Sequence, residues 1–133
     1  MTHIIPAPRL VQFIKSAFIA TGFTNEDAEI TAELMTQADI SGQDGHGIFR
    51  LPQYIKRLQE GGMNPKPEFK ILSQRTATAL IDGDNGIGHL VMRHAANIAV
   101  EKARTSGVAW LALECQTMLA LPLYIQDTFL RKE

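Results

Sequence analysis

The 133-residue chain holds a single cysteine, Cys115, so no intrachain disulfide can form and a reducing compartment is the expected home. It has no charge excess of either sign: 13 Lys and Arg stand against 14 Asp and Glu, for a net charge of −1. A nucleic-acid binder normally carries a basic surplus, so that class is set aside. The longest apolar run lies near residues 107–113, far short of the roughly 20 residues of a membrane span. The opening Met-Thr-His-Ile-Ile-Pro-Ala-Pro has neither a charged start nor a long apolar stretch, which argues against a secretory leader. Aromatic residues are few, but 45% of the chain is hydrophobic and 20% charged, enough to bury a core. These absences leave a cytoplasmic protein of one domain at most, with no nucleic-acid and no membrane partner.

What is present begins with a helical stripe. Leu10, Phe13, Ile14, Ala17 and Phe18 recur at i, i+3, i+4, i+7 and i+8, one buried face of a helix that Gly22 ends. Thr24 and Asp27 have the spacing of a capping box, opening a second helix over about Glu26 to Ala38 that buries Ile30 and Leu34. Residues 39–47, with three glycines, two aspartates and a serine, read as a loop. Pro52 suits the first turn of a third helix with Leu51, Tyr54, Ile55 and Leu58 on its apolar face, stopped by Gly61 and Gly62. Residues 63–68 form an extended connector. Two short strands, Phe69–Leu72 and Thr78–Ile81, follow, and then a glycine-rich turn over Asp82–Gly88. A fourth helix carries Val91, Ala95, Ile98 and Ala99 and ends near Ser106, with Gly107 as its cap, and Val108–Leu113 reads as a buried strand. The fold class is α+β: N-terminal helices, then short strands and a helix, an incomplete part of a larger fold.

The most informative chemistry sits around His46. Flanked by Gly45 and Gly47, its ring has little bulk beside it, and an ordinary pKa of about 6.5 suits proton transfer near neutrality. Arg50 and Tyr54 follow at +4 and +8. On a helical or nearly helical stretch, all three line one edge. Arg50 can then hold a carboxylate through two N–H groups while His46 protonates a neighbouring carbonyl oxygen. By spacing alone the plainer reading carries more weight: a loop histidine, a solvated arginine and a core tyrosine. The turn Gly83–Gly88 has the order G-x-x-G-x-G, which is not the dinucleotide fingerprint, and no P-loop Lys-Ser/Thr follows, so a structural turn is favoured. His89 and His94 are five apart and share no helix face. Asp39, Asp44 and His46 have nothing to fix them around a cation, so no metal is expected.

The stretch Asp39-Ile-Ser-Gly-Gln-Asp-Gly-His-Gly-Ile-Phe-Arg-Leu-Pro-Gln-Tyr54 closely resembles a signature of the malate/L-lactate dehydrogenase family of non-Rossmann NAD(P)-dependent oxidoreductases, which includes ureidoglycolate dehydrogenases and diketogulonate reductases. The family pattern is Asp-x-x-Gly-His-x-Ser/Thr-His-Gly-x-x-Arg-Leu-Pro-x-Tyr. The likeness continues through Gly62-Met-Asn-Pro65, Asp82-Gly-Asp-Asn-Gly-Ile-Gly88 and Gly107-Val-Ala-Trp-Leu-Ala-Leu113. By that resemblance His46 is the catalytic acid/base, and Arg50 and Tyr54 are substrate-binding, with Arg50 meeting the carboxylate of a 2-oxo acid. The resemblance also implies NAD or NADP as cofactor, a small 2-oxo or 2-hydroxy acid such as malate or lactate as substrate, and a homodimer in intact relatives. Two positions depart from the pattern: Gly45 stands for the usual Ser/Thr and Gln43 for the first histidine.

Residues 1–113 are thus expected to be the N-terminal part of such an oxidoreductase. The family continues with Arg-x-Ser-Asn-His-x-Gly, where this chain reads Glu114-Cys-Gln-Thr-Met-Leu-Ala. Codons restarted at the third base from Glu114 onward permit Val/Met-Ser/Pro-Asn-His-Ala-Gly, so residues 114–133 are expected to be a frameshifted tail. A truncated dehydrogenase is the expectation. The alternative is a catalytically inactive fragment that binds carboxylates or acts only as an interaction module.

Overall fold

The structure, a computed structural model, describes residues 4–116, and side chains as far as Glu114. Most of the expected frameshifted tail therefore lies outside the described residues. The chain divides into two compact units, residues 1–66 and 67–133. That boundary falls inside the stretch expected to be an extended connector.

The first unit is helical. α1 (Ala7–Ala20) starts after Pro6, and Pro8 sits in its first turn, where a missing N–H costs no hydrogen bond. α2 (Asn25–Ile40) opens at Thr24, whose hydroxyl oxygen accepts from the Asp27 N–H at 3.1 Å. The same hydroxyl donates to the Asp27 carboxylate at 2.7 Å, so Thr24 caps the helix as in a capping box, while the shorter Asp27 side chain meets the Thr24 hydroxyl and not its N–H. α3 (Leu51–Gln59) places Pro52 in its first turn. Three helices end alike, on glycines with positive φ: Gly22, Gly42 and Gly61. After α1, for example, the Gly22 N–H donates to the Ile19 carbonyl and the Phe23 N–H to the Phe18 carbonyl. This is the left-handed closure with its two returning hydrogen bonds. The apolar contact that often accompanies it is present too, with the Phe18 and Phe23 rings 4.9 Å apart.

α1 and α2 pack together, and Lys15 of the first pairs with Glu29 of the second at 3.0 Å. Two expectations are corrected here. Phe13 is 59% exposed, whereas Ile14 and Phe18 are fully buried, so the α1 stripe is narrower than the apolar spacing suggests. In α2 the buried face is Ala28, Thr31, Ala32, Met35 and Ala38, while Ile30 and Leu34 are half-buried on its flank. Small side chains hide that face from a reading based on large apolar residues. On α3 Leu51, Tyr54 and Leu58 are buried as expected.

The second unit is a three-stranded sheet with one helix. β1 (Lys70–Gln74) runs antiparallel to β2 (Thr78–Gly86), which pairs in parallel with β3 (Trp110–Gln116), in the order β1-β2-β3. α4 (Gly88–Ser106) makes the crossover from β2 to β3, as a parallel connection requires, and Gly107 caps it at φ +76°. Ala79, Ile81 and Ala95 form the core, with Ile98, Leu111 and Leu113 packed on it. β2 runs on through the expected glycine turn, which survives as an irregularity in which Asp84 and Asn85 take positive φ. The expected buried strand is corrected: β3 alternates, with Trp110 77% exposed and Leu111 and Leu113 half-buried. Only one of its faces meets α4, so only alternate residues are covered. α+β is the observed class.

Candidate active site

The predicted site residues all lie in the first unit, between the end of α2 and the middle of α3. α2 closes on Gly42, and the chain then makes two single 3₁₀ turns, Asp44–His46 and Ile48–Arg50. Between them Gly47 is extended at φ −88°, ψ −150°. The expectation of one nearly helical run from His46 to Tyr54 is therefore corrected, because the backbone is broken one residue after the histidine. The physical cause is Asp39, in the last turn of α2, whose carboxylate Oδ2 accepts from the Ile48 N–H at 2.9 Å. That carboxylate occupies the space a Cβ on Gly47 would need.

The break nevertheless leaves Arg50 close to the histidine's backbone. The Arg50 Nε–H donates to the Gly45 carbonyl at 2.8 Å, and Nη1 donates to the Gln53 side-chain oxygen at 2.9 Å. Arg50 thus sits against the residue preceding His46. A guanidinium carries five N–H groups, so three remain for a carboxylate. His46 is half-buried, within reach of both protein and solvent. Arg50 and Tyr54 are one helical turn apart. Tyr54 is only 2% exposed; burial raises its phenol pKa, and the Arg50 and Arg57 charges pull it back down. The phenol therefore lies in the field of the arginine, as part of the core under it. Phe49, in the middle of the second turn, is 75% exposed.

Sequence reasoning placed Asp39 in the loop, at the head of the family signature and as a weak metal-ligand candidate, and missed its contact with Gly47 and Ile48. The structure extends α2 to Ile40, which puts this acidic residue in the last turn, where the helix dipole favours cations instead. Gln53, which steadies the guanidinium, gave no signal. Among the described residues no three or more His, Cys, Asp or Glu side chains come together as a metal site. No described helix is long and apolar enough to cross a membrane.

The second unit offers a dinucleotide no cradle at its β2–α4 junction. At the β2–α4 junction the free face of Gly86 is filled, because a Cβ there would meet Pro67 at 2.8 Å and the Gly83 carbonyl at 3.0 Å. Asp82 accepts from the Asp84 N–H at 2.8 Å and Asp84 from the Glu68 N–H at 3.0 Å, which puts two carboxylates in the same turn. A pyrophosphate needs open backbone N–H groups and no negative neighbours. This junction does not fit one. Two open hollows, about 330 and 470 Å³, are lined only by residues of this unit, among them Arg75 and Trp110 in one and His94 and Lys102 in the other.

The family model for malate/L-lactate dehydrogenase matches residues 5–131, and the chain belongs to that family. The match continues past Glu114, and β3 likewise runs through that position. Relatives include an L-sulfolactate dehydrogenase of Methanocaldococcus jannaschii, 47% identical over 91 residues, which are 68% of this chain and 26% of that one. A malate dehydrogenase of Pyrococcus abyssi is 37% identical over 109 residues, 82% of this chain and 30% of the relative. The solved sulfolactate dehydrogenase of M. jannaschii superposes with a TM-score of 0.92 at 35% identity, over 98% of this chain and 38% of its own. The malate dehydrogenase structure from Pyrococcus horikoshii gives 0.91 at 29%, over 96% of this chain and 37% of its own. The chain therefore spans about a quarter to two fifths of the relatives it matches.

Proposed function

We propose that this chain contributes the substrate-carboxylate and proton-transfer part of an oxidoreductase that interconverts a 2-oxo acid and a 2-hydroxy acid. The observation that carries the reading is the Arg50 Nε–H to Gly45 carbonyl bond, which seats a cation beside the backbone of the one histidine in a glycine-flanked turn. Malate and sulfolactate, named for the relatives, each carry a hydroxyl on the carbon next to a carboxylate. A site for such acids needs a guanidinium for the carboxylate and an acid for the neighbouring oxygen, and Arg50 and His46 supply both. In reduction, Arg50 holds the carboxylate through its remaining N–H groups while protonated His46 gives its proton to the carbonyl oxygen. In oxidation, neutral His46 takes that proton back. Tyr54 backs the guanidinium from the core.

The hydride itself would come from NADH or NADPH, which family membership suggests, and the β2–α4 junction offers no fitting cradle for either. A homodimer and a cytoplasmic setting complete the proposal. The reading of residues 114–133 as out of frame rests on codon arithmetic alone, and sequencing the gene tests it: the alternate frame must encode Asn-His.

The function is tested by titrating oxamate, a 2-oxo acid mimic, into the chain while following the His46 ring resonances by NMR. Saturable shifts that vanish in Arg50→Gln are expected. Absence of any shift with oxamate, pyruvate and oxaloacetate would remove Arg50 and His46 from their roles. Binding without NADH oxidation would leave the carboxylate-binding module as the chain's own activity.

A further inference from the structure

We propose that Asp39 is the positioning residue of the site, a carboxylate clamp that fixes the backbone between His46 and Arg50. The proposal rests on the reading of those two residues given above. Its first support is reach. Asp39 belongs to α2, yet its Oδ2 accepts from the Ile48 N–H nine residues on, at 2.9 Å, inside the segment that separates the imidazole from the guanidinium.

The second support is the glycine beneath it. Gly47 is buried and extended, at φ −88° and ψ −150°, outside the positive-φ region that favours glycine. Glycine is needed there for room, because a Cβ would fall on the Asp39 carboxyl group. Carboxylate and glycine form a matched pair, one filling the space the other leaves open.

The third support is location. A negative group in the last turn of α2 opposes the helix dipole, and that helix end is already closed by Gly42 and Gln43, whose N–H groups return to Asp39 and Ala38 carbonyls. The Asp39 side chain is thus not required as a cap; its hydrogen bond goes to the segment between the functional side chains. From there the order propagates in both directions. The Gly47 N–H bonds the Asp44 carbonyl within the histidine's turn, and the Gly47 carbonyl accepts from the Arg50 N–H at 3.0 Å. Holding one peptide at Gly47–Ile48 holds both turns, and a displaced pair of functional groups loses binding and rate steeply.

The test uses the full chain with two readouts, hydrogen exchange at the Ile48 amide and oxamate affinity, each in variants checked for unchanged melting of the rest. Asp39→Ala is expected to raise Ile48 exchange about tenfold and weaken oxamate by a similar factor, the scale of one lost hydrogen bond. Asp39→Asn, which keeps an acceptor oxygen of the same shape, is expected to stay within about threefold on both. Gly47→Ala should disturb both readouts by itself, and in combination with Asp39→Ala it should add little, because the collision partner is gone. The clamp is overturned by unchanged Ile48 exchange in Asp39→Ala, by an Asn variant as impaired as the Ala variant, or by additive effects in the double variant. Should the exchange pattern hold while oxamate binds no protein, the unsubstituted chain included, the clamp stands and the carboxylate-binding reading falls. If Asp39→Ala does not fold, Asp39→Asn and Gly47→Ala still decide, since the first must be mild and the second damaging.

Discussion

Arg50 donates from Nε to the Gly45 carbonyl at 2.8 Å, so the guanidinium is braced on the residue that precedes His46. The contact spans five residues and crosses the extended break at Gly47. It makes the two groups neighbours through a main-chain oxygen where a shared helix face does not.

That brace depends on the geometry of a guanidinium, and a charge-conserving change should expose the fact. Arg50→Lys keeps the cation but loses the Nε–H to Gly45 and the planar fork. Oxamate affinity should fall about tenfold to a hundredfold, the worth of one or two hydrogen bonds to a charged group at 1.4 kcal/mol per factor of ten. Calorimetric titration reads this directly. A lysine variant that binds as well as the arginine would show that charge alone suffices.

Two phenylalanines five residues apart on α1 should behave oppositely. Phe18 is fully buried, its ring tilted against that of Phe23 with centroids 4.9 Å apart, so Phe18→Ala should lose about 3–5 kcal/mol through transfer and cavity terms. Phe13 is 59% exposed, and Phe13→Ala should stay within about 0.5 kcal/mol. Urea denaturation of both variants distinguishes them. Equal losses would mean that the α1 stripe buries Phe13 as the apolar spacing predicts.

In the second unit acid should weaken the fold through His94. Its ring packs 4.9 Å from Phe69, and desolvation lowers its pKa below the ordinary value of 6.5. A lowered folded pKa means that the unfolded chain binds more protons, so the stabilisation is present above about 6.5 and is lost as pH falls through the folded pKa. Denaturation midpoints at pH 7.5 and 5.5 should therefore differ, and His94→Gln should shrink the difference. A glutamine variant with the same pH dependence would acquit this histidine.

Much of the fold was legible because it rests on local rules. The Thr24 and Asp27 cap, the proline in the first turn of α3 and the glycines at 22, 61 and 107 are short-range signals, and all sit where local chemistry demands. The helix faces were less legible. Alanines line the buried side of α2 while Ile30 and Leu34 lie on its flank, and period alone does not say which neighbour a face will meet.

The amino-acid order by itself determined the family, the run of elements and the glycine-flanked histidine, since each depends on residues close together along the chain. Only the folded arrangement decided that His46 and Arg50 stand on separate turns and that Asp39 reaches past the end of its own helix. Those outcomes depend on which atoms occupy the space over Gly47, and spacing along a chain carries no record of that.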